Sequence, residues 1–284
     1  MEGPMSKIPL SLRESLDPAE SSPLNFAVAQ RDRETLSMVT RAVERRDVVL
    51  AFQPVVQTLR PDRPAFYEGL IRVLDDTGRV IPAQDFIGAA ETTEIGRKLD
   101  CLALEMGLLS LAEDRSLRLS VNMSARSIGY PDWMRILNRG LAMDDRIGER
   151  LILEITESSA MMMPELVSVF MQDMQTKGIC FALDDFGAGY TSFRYLREFY
   201  FDILKIDGQF ITGIARNPDN QILTQALMSI SRHFDMFTVA EAVETAEDAA
   251  WLTRAGIDCM QGYYFGAPTI MPPWKAPTTH KAGI

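Results

Sequence analysis

Strand-like runs recur along this chain with helix-like stretches between them, and that alternation constrains the fold more than any other feature. The runs are Val48–Gln53, Ala65–Arg72, Leu117–Asn122, Leu151–Thr156, Ile179–Asp184, Asp202–Ile206, Phe237–Glu241 and Ile257–Gln261. From the second run onward, helical periodicity fills the gaps at Ala83–Glu113, Trp133–Leu141, Pro164–Lys177, Asn220–His233 and Ala246–Ala255. Strands separated by helices return parallel to one another, so the pattern predicts a mainly parallel sheet with helices outside. Eight units in about 240 residues fit a closed (β/α)8 barrel, an α/β fold of the TIM type, better than an open doubly wound sheet. The link Thr58–Pro64 has no room for a helix, so the first two strands are expected to be antiparallel, which modifies the simple barrel.

The folded unit is expected to begin with a helix over Asp32–Arg46, where Leu36, Met38, Val39, Ala42 and Val43 follow helical spacing. Residues 1–31, rich in Pro and Ser, read as a flexible leader, 32–272 as the barrel domain and 273–284 as a tail. The first residues lack the basic-then-apolar order of a secretion signal, and no apolar run approaches the ~18 residues of a membrane span, so a cytoplasmic address without a membrane span is expected. Cys101, Cys180 and Cys259 have no ligand-like spacing and read as buried thiols.

Charge narrows the chemistry. A formal net charge of −10 argues against long nucleic acids, which are held by basic stripes. A small phosphate ligand remains compatible if metal ions supply the positive charge. The two histidines, His233 and His280, fall in a helical stretch and in the tail, which argues against a zinc site and a histidine base. Any metal must therefore be held mainly by oxygen.

The carboxyl ends of the runs carry Glu68, Asn122, Glu154, Asp184 with Asp185, Lys205, Glu241 and Gln261. In a (β/α)8 barrel those ends converge on one mouth, where active sites are built. Charged groups in strands such as Leu-Ile-Leu-Glu-Ile are costly to bury unless paired or bound to an ion. For any one of them a solvated strand end or a salt bridge is an equally good account; for the set, cations are the better one. Two adjacent aspartates before a glycine turn can serve two ions, and two oxygen-bound magnesium or manganese ions about 3.5–4 Å apart are suited to phosphoester hydrolysis. Lys205 is open to two readings, a group that holds a water or phosphate and a partner for a neighbouring carboxylate. Arg72, on the face shared with Glu68, suits a phosphate or a surface ion pair.

With these residues in view, the chain resembles the EAL-domain phosphodiesterases of bacterial cyclic-di-GMP signalling over roughly residues 34 to 270. The resemblance rests on Gln53-Pro54-Val55-Val56, Glu68-Gly69-Leu70-Ile71-Arg72, Ser120 to Arg126, Leu153 to Ser158, the Asp184 to Ser192 loop, Leu204-Lys205-Ile206-Asp207, Val239 to Thr245, and Gln261-Gly262-Tyr263. It implies a barrel whose first strand is antiparallel, two divalent cations (Mg or Mn), and hydrolysis of cyclic-di-GMP to linear pGpG. It implies that Glu68, Asn122, Glu154 and Asp184 ligate one metal, and that Asp184 bridges to a second beside Asp185 and Glu241. Lys205 matches the lysine that positions the attacking water, and Gln261 a glutamine near the hydrolytic centre. Glu157 matches the anchor of the loop after Asp185, while Gln53, Leu70 and Arg72 fall where the family contacts the dinucleotide.

Some positions depart from the family pattern. Gly69 stands for the usual Ala or Val, Ala242 for a usual Gly, and Gly208 and Ala267 for a frequent Arg; Ala188 and Thr191 are milder changes. None removes an ionic ligand. Two other readings stay open: a receptor that binds cyclic-di-GMP without hydrolysing it, and a protein-interaction scaffold. A homodimer through the barrel helices and control by a regulatory protein are compatible with the family resemblance.

Overall fold

A computed structural model of the chain describes residues 23–187 and 195–275. Positions 1–22 of the expected leader, Ala188, Thr191 and the end of the tail lie outside the described residues. In chain order the elements are helix α1 (Pro23–Arg45), strands β1 (Val48–Gln57), β2 (Arg60–Leu74) and β3 (Val80–Pro82), and helices α2 (Ile87–Ala90) and α3 (Glu94–Glu113). There follow β4 (Leu119–Asn122), α4 (Pro131–Leu141), β5 (Leu151–Thr156), α5 (Glu157–Met162), α6 (Pro164–Gln175), β6 (Cys180–Phe186), β7 (Ile203–Ile206), α7 (Gly208–Ile211), α8 (Pro218–His233), β8 (Phe237–Ala240), α9 (Ala246–Ala255) and β9 (Cys259–Gln261).

Two compact units divide these residues: those up to Val48 with Val73–Gly96, and Val49–Arg72 with those from Arg97 on. In the first, α1 starts at Pro23, inside the segment expected to be leader, rather than at Asp32. Proline lacks a donor and has a helix-compatible φ, so at the first position of a helix it is favourable rather than a breaker. Arg41 and Arg45 of α1 both reach Asp76, at 3.2 and 2.8 Å. The single helix expected over Ala83–Glu113 is instead a short turn, α2 and α3. Thr93 separates the last two, its hydroxyl accepting from the Ile95 N–H at 3.2 Å as a cap for α3.

The second unit is the barrel. Its strands run in the order β1-β9-β8-β7-β6-β5-β4-β2, and β1 also pairs with β2, which closes the circle at eight strands, while β3 pairs with β2. β1 is antiparallel to β9, and the pairs from β2–β4 through β8–β9 are parallel, as expected. The first hairpin link is only Thr58–Leu59, shorter than the sequence suggested.

A two-residue period along the strands builds the interior. Val55, Phe66, Ile152, Ala182, Ile203 and Val239 form one apolar cluster across the barrel. Stepping two residues along each strand from that layer gives Gln53, Glu68, Glu154, Asp184, Lys205 and Glu241. The step is forward on every strand except antiparallel β1, where it is backward, and so one polar layer lies directly above one apolar layer.

No helix separates β1 from β2, and their outer face is covered by the end of the chain. Phe52 bridges Thr269, and Trp274 sets its ring edge-on to Phe52 and Tyr67, with centroids 5.2 and 4.6 Å apart. Pro273–Lys275, beyond the boundary expected at 272, forms a short turn that sets Trp274 against these strands. Proline at 272 and 273 breaks helical spacing, which hides the packing role of the tryptophan that follows. Among the described residues no helix is long and apolar enough to cross a membrane.

Candidate active site

The polar layer is a single bonded network. Lys205 is 1% exposed, and its ammonium lies 2.7 Å from Glu154 Oε2, 2.8 Å from Glu241 Oε1, 2.9 Å from Asp184 Oδ1 and 3.4 Å from Glu68 Oε2. Asn122 Nδ2 donates to Glu68 Oε1 at 2.8 Å, and Gln261 Nε2 donates to Glu68 Oε2 at 2.6 Å and to Gln53 Oε1 at 3.1 Å. Gln53 in turn donates to the Gly266 carbonyl. Residues from eight strands or strand ends, spread from position 53 to 261, therefore meet at one place.

Asp185 joins them through an irregularity. Leu183 pairs with Leu204 and Phe186 with Ile206, so β6 has one residue more than β7 over this stretch, a β-bulge. In a regular strand two consecutive side chains point to opposite faces. Here the backbone of Asp185 turns to a φ of 54°, and Asp184, Asp185 and Glu241 each bring a carboxylate oxygen within 4.8 Å of the others.

One ammonium cannot neutralise so many carboxylates. Burial pushes the Glu154 carboxyl up to about 8, the Glu68 charge adding to the rise and Lys205 opposing it. Glu241 is raised well above its usual range by burial, against the pull of Lys205. Asp185 is open to solvent yet crowded by the walls of the mouth, and this desolvation, with Asp184 beside it, pushes it up to about 6. Burial acts on Glu68 too, but Lys205 and the donors Gln261 and Asn122 hold it below its usual value. Burial works against the Lys205 charge, and Asp184, Glu154, Glu241 and Glu68 together keep it well above its usual value.

The donor set fits hard divalent cations. Glu154 Oε1 and Gln261 Oε1 are buried and accept no hydrogen bond, and Asp184 Oδ1, although close to Lys205, is not aligned with a donor. Buried acceptors of this kind are costly unless something positive meets them. Oxygen ligands without Cys or His suit magnesium or manganese.

The remaining expected residues lie at the edge. Arg72 is half-buried; its side chain donates to the Ile71 carbonyl at 3.0 Å and lies near the Glu68 charge and Tyr263. Leu70 is half-buried on the same face. Glu157, at the start of α5, accepts from the Gly187 N–H at 3.1 Å, beside the point where the described residues pause. A cavity of about 460 Å3 opens at the opposite end of the barrel, lined by Phe66, Ile152, Cys180, Ile203 and Cys259 among others. Its lining contains none of the network residues and combines the apolar layer with charged residues such as Arg118, Arg150 and Asp258.

Residues 36–268 match the EAL domain family. The chain belongs to that family. PdeB of Shewanella oneidensis, named a cyclic di-GMP phosphodiesterase, is 29% identical over 234 residues, covering 81% of this chain and 27% of PdeB. MucR of Pseudomonas aeruginosa, named a bifunctional diguanylate cyclase/cyclic di-GMP phosphodiesterase, is 32% identical over 248 residues, covering 85% of this chain and 36% of MucR. The chain thus spans about a third or less of these curated relatives. Among solved structures, the FimX EAL domain of Pseudomonas aeruginosa bound to c-di-GMP superposes with a TM-score of 0.75 at 26% identity, covering 83% of this chain and 96% of that one. The MucR phosphodiesterase in complex with c-di-GMP gives 0.72 at 30% identity, covering 83% and 97%.

In this EAL domain, two departures from the family pattern meet. Ala242 has a φ of 51°, and a Cβ placed on Gly208 would lie 2.7 Å from the Ala242 methyl. Sequence reasoning noted both residues and did not foresee their contact, which depends on how the loop after β8 lies over α7. It also missed Phe210, whose ring presses on Gly187; an apolar residue after a strand reads as core and carries no signal of its neighbour.

Proposed function

We infer that this EAL domain hydrolyses cyclic-di-GMP to linear pGpG using two divalent cations, magnesium or manganese. The observation that carries this reading is the buried carboxylate network around Lys205, with Asp184, Asp185 and Glu241 close enough to share an ion. The family membership and the names of the relatives support the choice of substrate.

Glu68, Asn122, Glu154 and Asp184 would hold one cation, and Asp184, Asp185 and Glu241 the other. When bound, such cations supply positive charge that offsets the phosphate and the charge developing in its transition state. In the chemical step water adds to phosphorus, one P–O3′ bond breaks and the water's proton ends on the released 3′ oxygen, leaving a 5′-phosphate. Lys205 orients the attacking water. Its acidic neighbours fix its Nζ from several sides, 2.7 Å from Glu154 and 2.8 Å from Glu241, the kind of positioning on which such a step depends. Gln261 links Glu68 on the cation side to Gln53 on the dinucleotide side. Gln53, Leu70 and Arg72 take the ligand, Arg72 offering a planar cation to phosphate. Glu157 fixes the loop that follows Asp185.

The test is incubation of the purified chain with cyclic-di-GMP and Mn2+ or Mg2+, with a chelator and Glu68→Ala as controls, the products being separated by chromatography. Metal-dependent pGpG that both controls abolish is expected. Ligand bound but intact would replace this reading with that of a receptor, and absence of binding with or without metal would favour a scaffold.

A further inference from the structure

The bulge that brings Asp185 to the mouth is not self-supporting. A non-glycine residue at positive φ costs about 1 kcal/mol and persists only where its surroundings fix it. Two residues on, Gly187 is gripped on three sides. Its N–H donates to Glu157 Oε2 at 3.1 Å, and its carbonyl accepts from Gln209 Nε2 at 3.2 Å. On the third side lies the Phe210 ring, so close that a Cβ on Gly187 would come within 2.6 Å of Phe210 Cε2. Gly187 itself has a φ of 96°, so glycine alone meets both the backbone and the space requirement.

The grip from α7 is itself held. Asp207 Oδ1 accepts from the Gln209 N–H at 2.8 Å, and Asn220 Nδ2, from α8, donates to the Gln209 carbonyl at 2.9 Å. Phe210 packs its half-buried ring against the core. α7 follows directly on β7, the strand that carries Lys205, so the lysine and the grip on Gly187 share one rigid support.

We propose that Phe210 and Gln209 are positioning residues for Asp185, clamping Gly187 so that the bulged carboxylate stays beside Asp184 and Glu241. The inference rests on reading that trio as a cation site. Outer groups that orient a ligand characteristically change metal affinity or activity by about 10- to 100-fold when removed.

The experiment measures Mn2+ binding to the full chain by calorimetry, with melting temperature alongside, for the unmodified protein, Phe210→Leu, Phe210→Tyr and Gln209→Ala. Phe210→Leu and Gln209→Ala are expected to weaken one class of Mn2+ site by about 10-fold or more while sparing the other. Phe210→Tyr, which keeps the ring, is expected to restore it. Gln209 is exposed, so its variant tests the clamp even if Phe210→Leu proves poorly folded. With cyclic-di-GMP, kcat is expected to fall in the two weakened variants with little change in KM.

Unchanged Mn2+ affinity in both variants would overturn the proposal, as would a loss in Phe210→Leu that merely tracks its melting temperature while Gln209→Ala binds normally. If the unmodified chain binds Mn2+ but cleaves nothing, the hydrolase reading fails and the clamp is still judged by the binding data. If the unmodified chain binds no Mn2+, both fail.

Discussion

The methyl group of Ala242 occupies the space that a side chain at Gly208 would enter, the two Cβ positions being 2.7 Å apart. Both residues differ from the usual family choice, and they differ in a compensating way. Ala242 holds a left-handed backbone, which costs about 1 kcal/mol relative to glycine. The first prediction is therefore a coupled pair. Gly208→Ala alone is expected to destabilise by about 1–3 kcal/mol, because a methyl-to-methyl clash cannot be relieved by rotation. Ala242→Gly is expected to be neutral or stabilising, and in its background Gly208→Ala should cost little. Urea unfolding of the four proteins measures the coupling; additive effects would mean that the two residues do not oppose one another.

Lys205 is bonded directly to four carboxylates of the mouth, those of Glu68, Glu154, Asp184 and Glu241. Removing one partner of a buried ion pair costs about 3–5 kcal/mol, because the remaining charges are left uncompensated. Lys205→Met is expected to lose about that much at pH 8 in chelator, and to regain much of it when Mn2+ is added. On the proposed role of orienting the attacking water, turnover of cyclic-di-GMP should fall far more than substrate affinity, because such a contact matters mainly in the transition state. A variant as stable as the original in chelator, or one altered only in KM, would contradict this account.

The sequence made the polar layer readable because Glu68, Glu154 and Lys205 are charged residues inside apolar strands, and a charge there needs a reason. The bulge was not readable. Phe-Ala-Leu-Asp-Asp-Phe looks like an ordinary strand, and the extra residue exists only in relation to the register of β7. For the same reason the clamp on Gly187 and the contact of Ala242 with Gly208 were invisible, since each joins segments more than twenty residues apart. At the two ends of the domain the start of α1 at Pro23 and the packing of Trp274 leave no clear mark in the apolar periodicity, and neither was readable.

Trp274 gives a third prediction. It meets Phe52 and Tyr67 edge-on, over the strands β1 and β2, which no helix separates. Trp274→Ala is expected to destabilise by about 3 kcal/mol, in the range for loss of a large packed aromatic. Ending the chain after Met271 should cost at least as much. Thermal unfolding measures both; a truncated chain that melts with the full one would restore residues 273 onward to the status of a tail.

The last prediction concerns pH. Glu154 is held at about 8 against an ordinary 4.5, and Asp185 at about 6 against 3.8, in each case mainly by desolvation. A carboxyl whose pKa is raised on folding favours the folded state while protonated, so its contribution is full below the unfolded value and is lost as pH rises through the folded one. Without divalent cations these two groups should make the protein progressively less stable from about pH 4 to about pH 8. Glu68, lowered on folding, acts only below its ordinary value of 4.5, and Lys205, raised above 10.5, acts only beyond the alkaline edge, so neither cancels the trend within that window. Cation binding requires the ligands ionised and releases their protons. Saturating Mg2+ should therefore flatten the decline, and Mg2+ affinity should weaken as pH falls from 8 to 6. Urea unfolding at pH 5, 6.5 and 8, in chelator and in Mg2+, measures the difference. A stability that rises with pH across this interval in chelator would mean that the carboxylates are ionised together, and the electrostatic account of the mouth would have to be abandoned.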